Sequence, residues 1–282
     1  MAINLTSQAY VGSHRLLNQI GTGRHCDVWD AMIDSKSERR AVKVLAKVDA
    51  EQIAMMKKEF AVTKDLEHPN VIRIYEYGLQ NEHPFVSMEY FPSMNLKQAL
   101  QQAGVEGLAP KLASILQQAA LGLAAFHTHG YVHRDIKPDN YLINDAGKVK
   151  LIDFAIAVPI KGFFGKLLSG KTKQISGTRS YMSPEQIRGE SLDQRADIYS
   201  FGCMAFEMAT GKTPFTGTNT NELLNKHLRS PSPPMETYNK NVAPAFSALM
   251  KRMLAKKPAD RPNTMTDVAA ELKAGVLKSV AV

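Results

Sequence analysis

Cysteine is scarce in this sequence: Cys26 and Cys203 are the only two in 282 residues, and they lie far apart. That excludes a disulfide framework or a cysteine-built zinc site and leaves reduced thiols as the expectation. Long apolar runs are missing as well. No stretch approaches the roughly 18 apolar residues of a membrane span, so no membrane segment is expected. The opening MAINLTSQAYVGSH lacks the basic-then-apolar order of a secretory leader, and a cytoplasmic location is the expectation. Acidic residues are in deficit, 27 against 35 lysines and arginines, for a net charge of +8. The surplus is spread along the chain, apart from a local group between Lys161 and Arg179. It suits phosphate-bearing partners in general, and nucleic acid is not expected from it.

Two textures divide what is there. Over the first ninety residues, the runs RLLNQIG, DVWDAMI, RRAVKVLA, VIRIYEYG and PFVSMEYF alternate with turn-forming residues and predict strands. One helical stretch, AEQIAMMKKEFAVTKDLEH, interrupts them, with Ile53, Met56 and Phe60 at helical spacing and His68-Pro69-Asn70 as its stop. After Pro92 the pattern turns helical: LASILQQAALGLAAFHTHG up to Gly130, then 194–210, 244–255 and a last helix near 264–277. The expected architecture is a small β-rich lobe joined near 89–93 to a larger helical one. The proline cluster Pro231, Pro233, Pro234 reads as a loop, and no repeats are seen.

HRDIKPDNYLI, residues 133–143, packs two aspartates, a lysine and an asparagine just before an apolar run. Such a charge run is ordinarily a solvated loop, but these residue types suit phosphoryl transfer. Asp135 can take a hydroxyl proton, Lys137 can neutralise a moving phosphoryl group, and the Asn140 side-chain oxygen can ligate a hard cation. LIDFA follows beyond the turn Asn144-Asp145-Ala146-Gly147. Two apolar runs joined by such a turn predict a hairpin that carries Asp153 back towards Asp135 and Asn140.

With these residues in place the chain resembles the protein kinase family from about residue 15 to 275. GTGRHCDV (21–28), AVKVL (41–45), HRDIKPDN (133–140), DFA (153–155) and SPE (183–185) stand in the order of its signature motifs, followed by DIYSFG (197–202) and KPADRP (257–262). Lys137 and Thr178 resemble the Ser/Thr branch, and the compact loops are similar to bacterial members of the eukaryotic type. The resemblance implies an α+β fold in one protein kinase domain over 1–282. A small β-rich N-terminal lobe with one main helix (about 15–88) leads through a hinge (89–93) to a larger, mainly helical C-terminal lobe (94–277), with an activation segment over 153–185.

The activity it implies is transfer of the γ-phosphoryl group of ATP to serine or threonine hydroxyls of proteins, with Mg2+ as cofactor and Mn2+ as a possible substitute. The resemblance makes Asp135 the catalytic base or orienting carboxylate, Lys137 its phosphoryl-stabilising partner, and Thr178 a support of that loop. Lys43 becomes the phosphate-binding lysine, paired with Glu59 rather than Glu51, which sits at a helix start. Asn140 and Asp153 become the metal ligands. Nucleotide contacts are implied for Ile20, Gly21, Gly23, Val28, Ala41, Lys43, the gatekeeper Met88, Glu89, Phe91 and Leu142. Asp197 and a Glu185–Arg261 pair are implied to be structural; rim charges worth under ~1 kcal/mol are the alternative for that pair, but the resemblance favours a buried one. Arg134 is implied to hold a phosphate acquired by autophosphorylation at Ser169, Thr172 or Ser176.

Two departures stand out: Cys26 replaces the third glycine of the first motif, and Ala155 replaces the glycine after Asp-Phe. They motivate a rival reading as a pseudokinase acting as a nucleotide-binding or scaffold module, although every charged catalytic group is retained. Oxidation of Cys26 could block the nucleotide, and a need for positive φ at Ala155 would cost about 1 kcal/mol. A second nucleotide motif, GKLLSGKT (165–172), fits the P-loop pattern, yet Pro159 and Lys161 break the strand that should precede it and TKQISGTRSY does not read as the helix that should follow. Mutating Lys171 is therefore expected to leave nucleotide affinity nearly unchanged while mutating Lys43 weakens it, as measured by titration with a fluorescent ATP analogue. The opposite ranking would restore the P-loop.

Overall fold

The computed structural model describes residues 5–23, 25–46, 48–160, 177–273 and 275–277. The chain divides into two compact units. Met1–His68, Ile72–Pro92 and Asp153–Ala155 make the first, and Pro69–Val71, Ser93–Ile152 and Ile156–Val282 the second.

In the first unit the alternating runs become strands β1 (Tyr10–Val11), β2 (His14–Thr22), β3 (Cys26–Ile33) and β4 (Glu38–Leu45), then helix α1 (Ala50–Thr63), then β5 (Ile74–Gln80) and β6 (His83–Glu89). They form one antiparallel sheet in the order β1-β2-β3-β4-β6-β5. Because side chains alternate across a strand, one set gathers into a core of Val11, Leu16, Trp29, Ala31, Val42, Val44 and Phe85. The residues between them fall on the other face. The register sets Gly21 opposite Val28, Val28 opposite Lys43, and Ala41 opposite Met88, so five residues expected at a nucleotide share one side of the sheet.

Helix α1 starts where Asp49 accepts the Gln52 N–H at 2.9 Å. Its buried positions are Met56, Glu59, Val62 and Thr63, while Ile53 and Phe60 are only partly covered. The helix stops at Thr63, earlier than the proline-based expectation, because Leu66 turns back to donate its N–H to the Thr63 carbonyl at 2.9 Å.

The second unit begins with β7 (Met94–Asn95), α2 (Leu96–Leu108) and α3 (Leu112–Thr128). Short strands β8 (Tyr131–Val132), β9 (Tyr141–Ile143), β10 (Val149–Leu151) and β11 (Val158–Pro159) follow, and then helices α4 (Pro184–Ile187), α5 (Gln194–Thr210), α6 (Thr220–Arg229), α7 (Pro244–Met253) and α8 (Met265–Leu272). Helices α2 and α6 escaped the sequence reading. The first is interrupted at Gly104 (φ 65°), and the second is mostly polar, with His227 its one fully buried residue. The anticipated hairpin is present, with β9 and β10 paired from Ile143–Val149 to Tyr141–Leu151.

Helix α5 is buried from Ala196 to Ala209, as a helix at the centre of a core must be. Close approach also demands Gly122 on α3: a Cβ there would stand 2.3 Å from the Asn70 carbonyl oxygen, which accepts the Leu151 N–H at 2.9 Å. Glu185 and Arg261 prove to be a buried pair, joined by two bonds of 2.6 and 2.9 Å. The remaining guanidinium protons reach the carbonyls of Ala255, Arg195 and Lys256, which compensates the buried charge.

His227 of α6 lies fully buried against Tyr199, whose hydroxyl is 3.1 Å from Nδ1, and edge-on to Phe215. Burial pushes its pKa down to about 4, with Lys256 adding repulsion and the Ser180 carbonyl opposing. The unfolded imidazole takes its proton near 6.5, so folding stability is full above that value and is lost as pH falls towards 4. The loss is up to about 3 kcal/mol at ~1.4 kcal/mol per pKa unit. Urea denaturation at descending pH should show this slope in the wild type and a flatter one in His227→Gln. Equal slopes would remove His227 from the account.

Candidate active site

The second unit assembles its polar group around Asp135. Lys137 Nζ donates to Asp135 Oδ2 at 2.6 Å and to Thr178 Oγ1 at 2.8 Å. Thr178 donates both its N–H (2.9 Å) and its hydroxyl (2.8 Å) to Asp135 Oδ1. Asn140 Nδ2 donates to the Asp135 carbonyl at 2.8 Å and to Oδ2 at 3.1 Å. Burial works to raise the Asp135 pKa, but the bonds from Lys137 and Thr178 outweigh it and hold the carboxyl below its ordinary value. The group is therefore an anion at neutral pH, aimed by two neighbours on its own loop, Lys137 and Asn140, and by Thr178, which is 43 residues away.

The loop that presents it is anchored from beneath. Asp197 on α5, fully buried, accepts the His133 N–H at 2.7 Å and the Arg134 N–H at 2.8 Å, and its Oδ2 lies 2.8 Å from His127 Nε2. Arg134 itself has φ 74°, a left-handed conformation that a long side chain adopts at a cost. Its carbonyl accepts Gln186 Nε2 at 2.9 Å, and Gly177 (φ 119°) passes so close that a Cβ would be 2.8 Å from that carbonyl oxygen. The Arg134 side chain is buried, which lowers its pKa, and its Nε has no partner among the described residues. Ser169, Thr172 and Ser176, like the P-loop look-alike at 165–172, lie outside the described residues.

In the first unit, Lys43 reaches Glu59 Oε2 at 2.8 Å, and Asp153 Oδ1 is 3.9 Å away. Burial disfavours the ammonium, but Glu59 and Asp153 together hold its pKa above the ordinary lysine value. Glu51 is exposed in the first turn of α1. The turn after β2 closes through a 2.7 Å bond from the Gly23 N–H to the Cys26 carbonyl. Ile20 is exposed, Ala41 buried, and Met88 and Phe91 half-buried; the Glu89 N–H already donates to the Arg73 carbonyl at 2.8 Å. Leu142, in the second unit, is half-buried on β9.

Both departures from the expected glycines are accommodated. Asp153 takes the left-handed conformation (φ 65°), which aspartate tolerates, whereas Ala155 is not among the residues with positive φ. The strain anticipated at Ala155 is thus absent from this conformation. Cys26 is half-buried, and burial, with help from nearby carboxylates, pushes its thiol pKa up despite Lys43. A thiol held in its neutral form is a poor nucleophile, which weighs against a redox role.

No cluster of three or more His, Cys, Asp or Glu side chains able to hold a metal occurs among the described residues. Magnesium does not require one, since it is bound by one or two protein oxygens together with phosphates and water. The Asn140 amide nitrogen is engaged by Asp135, which leaves its Oδ1 as the donor, and the Asp153 carboxylate is 43% exposed. Each of these oxygens, one in each unit, is of the kind that a hard cation takes.

Residues 14–272 match the protein kinase domain family. The chain belongs to that family. Among its relatives are the serine/threonine-protein kinase PrkC of Bacillus subtilis, 32% identical over 266 residues, and PknA of Mycobacterium tuberculosis, 32% identical over 275. PknB of Mycolicibacterium smegmatis is 34% identical over 212 residues. These alignments cover 93%, 94% and 73% of the chain but 40%, 62% and 33% of the respective relatives, so the chain spans less than two thirds of each. No helix among the described residues is long and apolar enough to cross a membrane.

Sequence reasoning missed a second set of residues in this kinase domain. Tyr181 Oη donates to Glu207 Oε2 at 2.6 Å, and Lys97 closes an ion pair with the other oxygen of Glu207. Gln186 had a local signal only for its capping box with Ser183; its bond to the Arg134 carbonyl had none. For Cys26, the elevated pKa gives an expected outcome: iodoacetamide at neutral pH should label it no faster than an unstructured cysteine peptide. Faster labelling would reopen the redox role.

Proposed function

We propose that this chain is an ATP-dependent protein serine/threonine kinase domain. The observation that carries the reading is the Asp135 cluster: an ionised carboxylate held by Lys137, Thr178 and Asn140 on a loop anchored by Asp197. Asp135 orients the acceptor hydroxyl and takes up its proton as the oxygen attacks phosphorus. Lys137, already 2.6 Å from that carboxylate, offers positive charge to the phosphoryl group in transit.

Lys43 binds ATP phosphate oxygens, and Glu59 fixes its position on β4. The face carrying Gly21, Val28, Ala41 and Met88 receives the base, with Ile20, Gly23, Phe91 and Leu142 completing the contacts. A base contact at Glu89 would run through its carbonyl, because its N–H is engaged by Arg73. Asn140 and Asp153 each supply an oxygen donor to Mg2+, for which Mn2+ can substitute. The cation neutralises phosphate charge when bound. Protein serines and threonines are the acceptors, including those of the chain's own segment at Ser169, Thr172 or Ser176, whose phosphate Arg134 would hold. A cytoplasmic location, where ATP is supplied, fits this activity.

Transfer of radiolabelled phosphate from MgATP to a generic protein acceptor tests this. Wild type should exceed Asp135→Asn by at least about a hundredfold, the scale of a lost general base. Equal rates would leave the nucleotide-binding or scaffold reading in its place.

A further inference from the structure

Beside the catalytic carboxylate the second unit displays a cation that the reaction itself does not use. Thr178 is fixed on Asp135 by two hydrogen bonds, and the next residue, Arg179, is exposed. Its Nη1 donates to Thr220 Oγ1 at 3.3 Å, at the start of α6, which restrains the side chain without neutralising it. Among the described residues it has no ion pair. The acids in its neighbourhood are otherwise engaged: Glu207, under the same 179–181 turn, is buried and held by Tyr181 and Lys97. Glu222, two residues after Thr220, is bound by Lys226 and Thr218. Asp139 is not engaged in this way: it is exposed and its charge reaches Tyr181, two residues further along, so it is the carboxylate against which a substrate's competes for Arg179.

We propose that Arg179 makes this domain select acceptor serines or threonines that have an acidic side chain beside them. The inference rests on the kinase reading above. A guanidinium presents a planar fork of donors that matches a carboxylate, and Arg179 carries that fork on the residue next to Thr178, which is fixed on Asp135 by two hydrogen bonds. A basic neighbour in the substrate meets like charge instead.

The test compares three serine peptides that differ only in the residues flanking the acceptor: aspartate, alanine or lysine. Each is assayed with wild type, Arg179→Ala and Arg179→Glu, with Asp135→Asn as background. In the wild type, kcat/KM should rank aspartate over alanine over lysine, with roughly fivefold between the first two, as an exposed ion pair gives. The ratio should shrink towards one as salt is raised. Arg179→Ala should level the ranking and Arg179→Glu invert it; ratios taken within each variant are insensitive to differences in folded fraction. An unchanged ranking in both variants, or no preference in wild type, overturns the role of Arg179. Absence of transfer above Asp135→Asn with every peptide, and with the chain itself as acceptor, overturns the kinase reading and this inference with it.

Discussion

The Asp197 carboxylate, sealed inside the second unit, is the constraint on which the catalytic loop depends. It gathers two backbone N–H groups and one imidazole at 2.7 to 2.8 Å, and no water is needed to satisfy it. By fixing the amides of His133 and Arg134 it holds Arg134 in a left-handed conformation that the chain would otherwise leave. That single twist re-aims the next residue, Asp135, towards Lys137 and Thr178. A buried helix is the right support for it: α5 is enclosed along nearly its whole length and cannot shift without disturbing the core.

Two lysines with different jobs show how burial and neighbours divide labour. Lys43 lies between Glu59 and Asp153 and keeps its charge in spite of burial, which suits the phosphate contact proposed for it. Lys137 is tied to the carboxylate it works beside and to the hydroxyl that braces it. The same logic shows why the departures at Cys26 and Ala155 leave the charged machinery intact. Neither carries a needed charge, Ala155 sits at an ordinary φ, and the Cys26 carbonyl still closes its turn with Gly23.

Much of this was legible in the chain alone. Period-two runs gave β2, β3, β4 and β6 within a residue or two, and HRDIKPDN marked the polar cluster that the fold assembles around Asp135. These signals are local: alternation writes a strand, and adjacent polar residues write a loop. Helix α2 was hard to read because a left-handed Gly104 breaks it, whereas α6 does carry a stripe, Leu223, Leu224, His227 and Leu228, which was passed over because the segment is short and mostly polar. The end of α1 was misplaced because a turn at Leu66 precedes the proline.

The sequence by itself determined the inventory: which side chains can carry a proton, a phosphate or a cation, and the order in which they come. Only the tertiary structure decided their partners. Thr178 meets Asp135 across 43 residues, Glu185 meets Arg261 across 76, and Lys97 meets Glu207 across 110. No periodicity spans such separations. They are set by the packing of α5 against the elements around it, and the charge that Arg179 exposes beside the catalytic group is the residue of that pairing. A carboxylate reads the same in any sequence; whether it is spent inside the fold or left to meet a substrate depends on what the fold buries beside it.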